Sequence, residues 1–296
     1  MNSLRRSAAL AGFRLVIAGI PILWLGLFFL APFLLVFRTS FADPVIAQPP
    51  FTPLFDAAGG IHATLDNYTL LLNDSLFLSS YLGSVRIAAI STLLCLIAGY
   101  PMAYAIARSP QPWRTLLLLL VILPFWSSFL LRIYAWMGLL GTHGVINSLL
   151  LDLGLIQRPL ALMYNDAAVY LGIVYTYLPF MVLPLYAVLE KHEIALREAA
   201  LDLGARPLRV FTDITLPLSM PGVVAGSMLV FIPAIGEFVI PALLGGLDTR
   251  MIGRALFDEF FINRDWPLAA AVATVLLLVI VLPLMVFQRG QARAHP

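Results

Sequence analysis

Residues 190–217 read EKHEIALREAALDLGARPLRVFTDITLP and lie between two long apolar runs, 167–189 and 218–244. From Glu193 to Leu203 the segment holds good helix formers and no breaker, which predicts a short helix. Gly204 stands where a helix commonly stops in a left-handed conformation, and Pro207 keeps the same helix from continuing. Ile194, Leu201 and the alanines between them can share one face. The small side chains of Ala199 and Ala200 leave a shallow surface over which a partner's groove could close. A solvated connecting helix fits the same residues.

On either side of this segment the chain is written for lipid. Of its 296 residues 61% are hydrophobic and 11% are charged, against about 25% charged in soluble proteins. That composition excludes a soluble enzyme with an ordinary surface, a nucleic-acid binder with a basic face and a disordered chain. Six apolar runs are long enough to cross a hydrocarbon core of about 30 Å: 15–37, 82–107, 115–140, 167–189, 218–244 and 267–287. They are too long for barrel strands. The first run follows Arg5, Arg6 and Arg14 and precedes a small-x-small triplet at 40–42, but it exceeds a signal-peptide core and reads as an uncleaved helix. No internal repeat or low-complexity tract appears, so the expectation is one all-α, polytopic membrane domain over 1–296 with six transmembrane helices. Between 38 and 81 the spacing of Leu65, Tyr68, Leu71 and Leu72 predicts an amphipathic surface helix. Trp113 and Trp266 fall at helix ends, where indole rings anchor at the headgroups.

Orientation follows from the basic residues. Segments 1–14, 108–114, 190–217 and 288–296 hold 11 Lys and Arg, whereas 38–81, 141–166 and 245–266 hold 5. The positive-inside rule places the first set, with both termini and the 190–217 loop, in the cytoplasm.

Glu198-Ala199-Ala200, Gly204, Ile214 and Leu216-Pro217, at these spacings and before the last two spans, resemble the signature of permease subunits of bacterial binding-protein-dependent ABC importers. Four further stretches resemble the polyamine branch, nearest its putrescine permeases: 131–138 (LRIYAWMG), 177–184 (YLPFMVLP), 236–241 (GEFVIP) and 260–267 (FFINRDWP). The resemblance implies a type I ABC importer permease fold in the bacterial inner membrane, with 193–204 as a coupling helix. It implies two cytoplasmic ATPase subunits that carry ATP and Mg, while this chain binds no cofactor or metal. It further implies a second permease subunit in a heterodimer, an external polyamine-binding protein, and inward transport by alternating access. Gly83-Ser84 departs from the Asn-Ser of many relatives, which puts a polar contact there in doubt.

Three ionisable residues lie inside spans, where charge is costly and functional by default. Arg132 and Glu237 each sit 16 residues beyond an inner boundary, about 24 Å up, and Arg86 lies roughly 6–9 Å below the outer start of its span. All three are thus expected in the outer half. Glu237 can pair with an Arg to fix helix register, line the path of a cationic substrate, or reach the headgroups. Tyr134 and Trp136 can offer cation–π faces to an alkylammonium or act as packing anchors.

Pro124, Pro179, Pro184, Pro233 and Pro241 free backbone carbonyls inside spans, and Gly222 and Gly226 form a small-xxx-small pair suited to close helix packing. No phosphate-binding Gly-rich loop exists around Lys191, the only lysine. The histidines His62, His143, His192 and His295 lack metal-ligand spacing, and Cys95 reads as a packing residue. An ABC permease for another small solute and an ion-coupled secondary transporter are the alternatives. The latter calls for internal repeats and interrupted helices.

Overall fold

The computed structural model describes residues 17–54, 60, 62–192 and 194–294. Arg5, Arg6 and Arg14, the expected helix start at Glu193, and His295 lie outside these residues. Among the described residues helix is the regular structure throughout, apart from an isolated antiparallel bridge between Pro44 and Phe51. The elements are α1 (Ile17–Thr39), α2 (Asp66–Asn73), α3 (Ser75–Arg108), α4 (Trp113–Trp126), α5 (Phe129–Leu140), α6 (Val145–Asp152), α7 (Asp166–Leu189), α8 (Ile194–Asp202), α9 (Pro207–Ile235), α10 (Val239–Leu244), α11 (Ile252–Phe257) and α12 (Trp266–Ala294).

Among the described residues five stretches are long and apolar enough to cross a membrane: α1, α3, 129–152 (with a turn at 141–144), α7 and α9. Trp113–Trp126 is a shorter apolar helix, and α12 opens with the apolar stretch Trp266–Leu282. Two of the six expected runs are not single helices. The run 115–140 breaks at Ser127 and Ser128, whose ψ angles of 152° and 138° are extended. The run 218–244 breaks at 236–238, between α9 and α10. Apolar composition cannot report either break, because it measures partition into lipid and not backbone continuity. The fifth span also begins earlier than its apolar run. Pro207 occupies the first turn of α9, where a missing N–H costs nothing. A wider turn at Phe211–Thr215, closed by the Leu216 N–H on the Phe211 carbonyl, precedes Pro217. Pro179 and Pro184, by contrast, lie inside the continuous helix α7.

The chain divides into two compact units. In one, 1–75 with 256–296, α1 packs against α12 and buries none of its residues. The expected surface helix forms as α2, but its buried face is Asn67 and Leu71, while Leu65 and Leu72 are exposed. The Asn67 amide donates to the carbonyls of Ser40 and Ala42 at 3.0 and 2.9 Å, and the Tyr68 and Ser40 hydroxyls lie 2.6 Å apart. Those carbonyls belong to the turn that follows α1 and need a donor when buried, so a polar side chain wins the buried position. Trp266 stacks on Phe260 with ring centroids 5.0 Å apart.

The second unit, 76–255, is built on α7 and α9. A Cβ added at Gly226 would meet the Met181 sulfur at 2.8 Å, and one at Gly222 the Pro184 carbonyl oxygen at 3.1 Å, so the small-xxx-small pair marks the helix seam. Cys95, Met181, Val182, Leu185, Leu189 and Val230 are fully buried around that seam. Many large apolar side chains of α3, α4 and α5 face outward, among them Leu93, Leu119 and Leu131, as a lipid-facing surface requires. Gly83 admits the Arg250 carbonyl where a Cβ could not fit, and Ser84 accepts the Ile252 N–H at 2.8 Å. The departure at Gly83-Ser84 is therefore the seat of the 250–252 segment.

Gly226→Val should force apart a seam that cannot relax, costing about 1–3 kcal/mol. Thermal unfolding of the purified protein in detergent should show a lower midpoint; an unchanged midpoint would contradict the close seam.

Candidate functional site

The breaks in the third and fifth spans each release backbone groups in an apolar medium, and each is closed by one of the buried charges. At the fifth-span break the Glu237 side chain folds over the start of α10. One carboxylate oxygen accepts from the N–H groups of Phe238, Val239 and Ile240 at 3.2, 3.1 and 3.4 Å. The next residue, Pro241, has no N–H to satisfy, and the Ala242 N–H already bonds the Phe238 carbonyl. The other carboxylate oxygen accepts from the Tyr177 hydroxyl at 2.6 Å. Glu237 is only 8% exposed. Three converging N–H groups and the positive end of a helix hold its negative charge.

At the third-span break the charges are reversed. The Pro124 carbonyl at the end of α4 accepts from the Ser127 N–H and hydroxyl, and from Arg132 at 2.8 Å. The Arg132 guanidinium lies over the rings of Phe125 and Phe129, 5.3 and 6.0 Å from their centroids. A cation at the negative helix end and an anion at the positive end are the stable arrangement. The two breaks communicate through rings. Phe125 meets Phe180 edge-on at 5.2 Å, and Phe180 lies 6.1 Å from Tyr177, which holds Glu237.

Among the described residues Glu237 forms no ion pair with an arginine. Arg86 instead bonds Asp166 at 2.6 Å, and Thr249 donates to the second Asp166 oxygen at 2.7 Å. The Arg86 side chain is 58% exposed. Equal depth along the chain says nothing about azimuth, and these side chains leave their helices in different directions. Tyr134 is more than half exposed on α5, while Trp136 packs edge-on against Tyr175 at 5.4 Å. Asp166 and Tyr177 were not legible as partners, although Asn165 before Asp166 carries the signature of a helix start and caps the Ala168 N–H.

In the described part of the 190–217 segment a short helix, Ile194–Asp202, forms and stops before Gly204. Gly204 has φ +81°. The Ala205 N–H bonds the Ala200 carbonyl and the Gly204 N–H the Leu201 carbonyl, at 3.0 and 2.9 Å, which is the Schellman closure of α8. Glu198 and Ala199 are exposed and Ala200 is half-buried, so the two alanines face different ways. Ala200, Gly204, Arg206, Arg209, Asp213 and Ile214 line a cleft of about 800 Å³. Leu216 and Pro217 are exposed at the following turn of α9. On its other side α8 is held to α3: Arg197 donates to the Tyr104 hydroxyl at 2.7 Å.

Residues 97–293 match the family described as binding-protein-dependent transport system inner membrane component. The chain belongs to this family. The transport component is 43% identical over 270 residues, 90% of its own length and 94% of the relative's, to the spermidine/putrescine transport system permease protein PotB of Escherichia coli (strain K12). It is 38% identical to PotB of Haemophilus influenzae, over 94% of each chain. Its fold superimposes on a chain of a crystallised bacterial ABC transporter involved in the import of the acidic polysaccharide alginate, with TM-score 0.71, 16% identity and coverage of 99% of this chain and 100% of that one. This is a multi-pass inner-membrane transport component and not an enzyme.

Glu237→Ala leaves three N–H groups without their acceptor and should cost about 1–3 kcal/mol, read as a lower unfolding midpoint in detergent. Glu237→Gln keeps an acceptor oxygen and should lose less. Equal midpoints for all three proteins would refute the capping role.

Proposed function

We propose that this chain is the permease subunit of an ATP-driven importer of polyamines, with putrescine as the preferred cargo. The observation that carries the reading is 43% identity, over 90% of the chain, with a permease named for spermidine and putrescine. A second permease subunit completes the path, making a heterodimer. Two cytoplasmic ATPase subunits bind ATP and Mg, and an external binding protein delivers the polyamine. The exposed Glu198 and Ala199 of α8, with the cleft behind Ala200, Gly204 and Ile214, form the seat for the ATPase. Nucleotide binding in the ATPase subunits draws α8 and turns the spans from inward- to outward-facing, and hydrolysis returns them.

In this reading Glu237 and Arg132 keep the two broken spans in shape, and cargo meets the aromatic surface beside them. Tyr134, two residues along α5 from Arg132, is more than half exposed and suited to an alkylammonium by cation–π attraction of about 0.5–2 kcal/mol. A second reading, an ion-coupled carrier, draws support from the two interrupted helices. Against it, the Glu237 carboxylate is occupied by backbone N–H groups.

Reconstitution with the ATPase, the second permease and candidate binding proteins tests the proposal. ATP turnover should rise with putrescine-loaded binding protein, and uptake should stop without ATP. Uptake that persists without any ATPase would establish the carrier instead. Tyr134→Phe should leave uptake near the wild-type level, whereas Tyr134→Ala should weaken apparent affinity by roughly 2- to 30-fold; equal affinity in both would remove Tyr134 from the path.

A further inference from the structure

The described side chains of α8, residues 195–202, include none that is buried. Over these residues the helix does not rest on a core. Beneath it lies a cavity of about 250 Å³ lined by Tyr104, Arg197, Leu201, Pro207, Val210 and Phe211. A gap of that kind transmits displacement poorly, because atoms facing it have no partner to push against. The short contact across it is the bond from Arg197 to the Tyr104 hydroxyl, 2.7 Å long and 93 residues apart in sequence. A guanidinium donor is always charged, and such bonds are the strong ones.

From Tyr104 the contacts continue into two spans. The Phe211 ring stands edge-on to Tyr104 at 6.4 Å and to Tyr100, one turn along α3, at 5.6 Å. The Tyr100 hydroxyl lies 2.9 Å from that of Ser219, two turns beyond Phe211 on α9. The Arg108 guanidinium lies 5.6 Å from the Tyr104 ring centroid. Tyr104 is thus fixed against α3 and α9 at once, while Glu198, the neighbour of Arg197, is exposed on α8.

We propose that Arg197 is a positioning residue for energy coupling: its bond to Tyr104 is the strut through which movement of α8 reaches α3 and α9. The inference rests on α8 being the ATPase seat and adds the route by which its motion enters the spans. It assigns opposite duties to adjacent residues, Glu198 toward the ATPase and Arg197 toward the bundle.

The test uses the complete transporter in liposomes, with ATP hydrolysis and putrescine uptake measured in the same vesicles. Arg197→Ala and Tyr104→Phe, which removes only the accepting hydroxyl, should each co-purify with the ATPase and hydrolyse ATP. Uptake per ATP consumed should fall roughly tenfold in both, and Arg197→Lys should restore a large part of it. An unchanged uptake-to-ATP ratio in both variants overturns the strut. So does loss of the ATPase from the Arg197→Ala complex, which would make Arg197 a docking contact. Absence of an ATPase from the wild-type complex would instead overturn the underlying reading of α8.

Discussion

A helix that stops inside lipid must find partners for the N–H and C=O groups it releases, since hydrocarbon offers none. This chain stops two apolar runs in mid-course. It answers with a carboxylate at one stop and a guanidinium at the other. Glu237 gathers the first N–H groups of α10, and Arg132 joins Ser127 on the Pro124 carbonyl in the last turn of α4. Each buried charge is tolerable because a helix end of the opposite sign faces it, and each helix end is tolerable because of the charge. The aromatic series Phe125, Phe180 and Tyr177 fills the space between them. Buried ionisable residues in a permease therefore need not belong to its cargo.

The same requirement is met differently where the chain leaves the apolar region. After α7 the polypeptide turns, forms α8, and closes it by the left-handed Gly204 with two backbone bonds. Any side chain at 204 would be strained there. The glycine of the motif thus serves a geometric end: it stops α8 so that Pro207 can open α9 and place Ile214, Leu216 and Pro217 on the turns beside the cleft. A motif defined by spacing is here a description of one helix end and the beginning of the next.

Between these two regions lies the seam of α7 and α9. Gly222 and Gly226 let the backbones approach near Leu185 and Met181, and packing of that density moves as a body. Under the proposed mechanism, displacement introduced at the start of α9 would be carried along α7. The interrupted end of α9, with Glu237 held by Tyr177 of α7, belongs to the same rigid pair. Movement and selectivity can then reside on surfaces that the seam presents.

The sequence by itself determined the solvent, the helical class, the membrane runs and the short helix ending at Gly204. Hydropathy, helix propensity and the left-handed preference of glycine act over a few neighbouring residues and leave a local record. It also singled out Arg86, Arg132 and Glu237 as charges requiring an explanation. Which groups they meet was decided by tertiary structure. Glu237 meets backbone across a break that apolar composition does not register, Arg86 meets Asp166 from 80 residues away, and Arg197 meets Tyr104 from 93 residues away. Such pairings depend on the angle at which each side chain leaves its helix and on which helices are neighbours. Depth along one chain carries neither quantity.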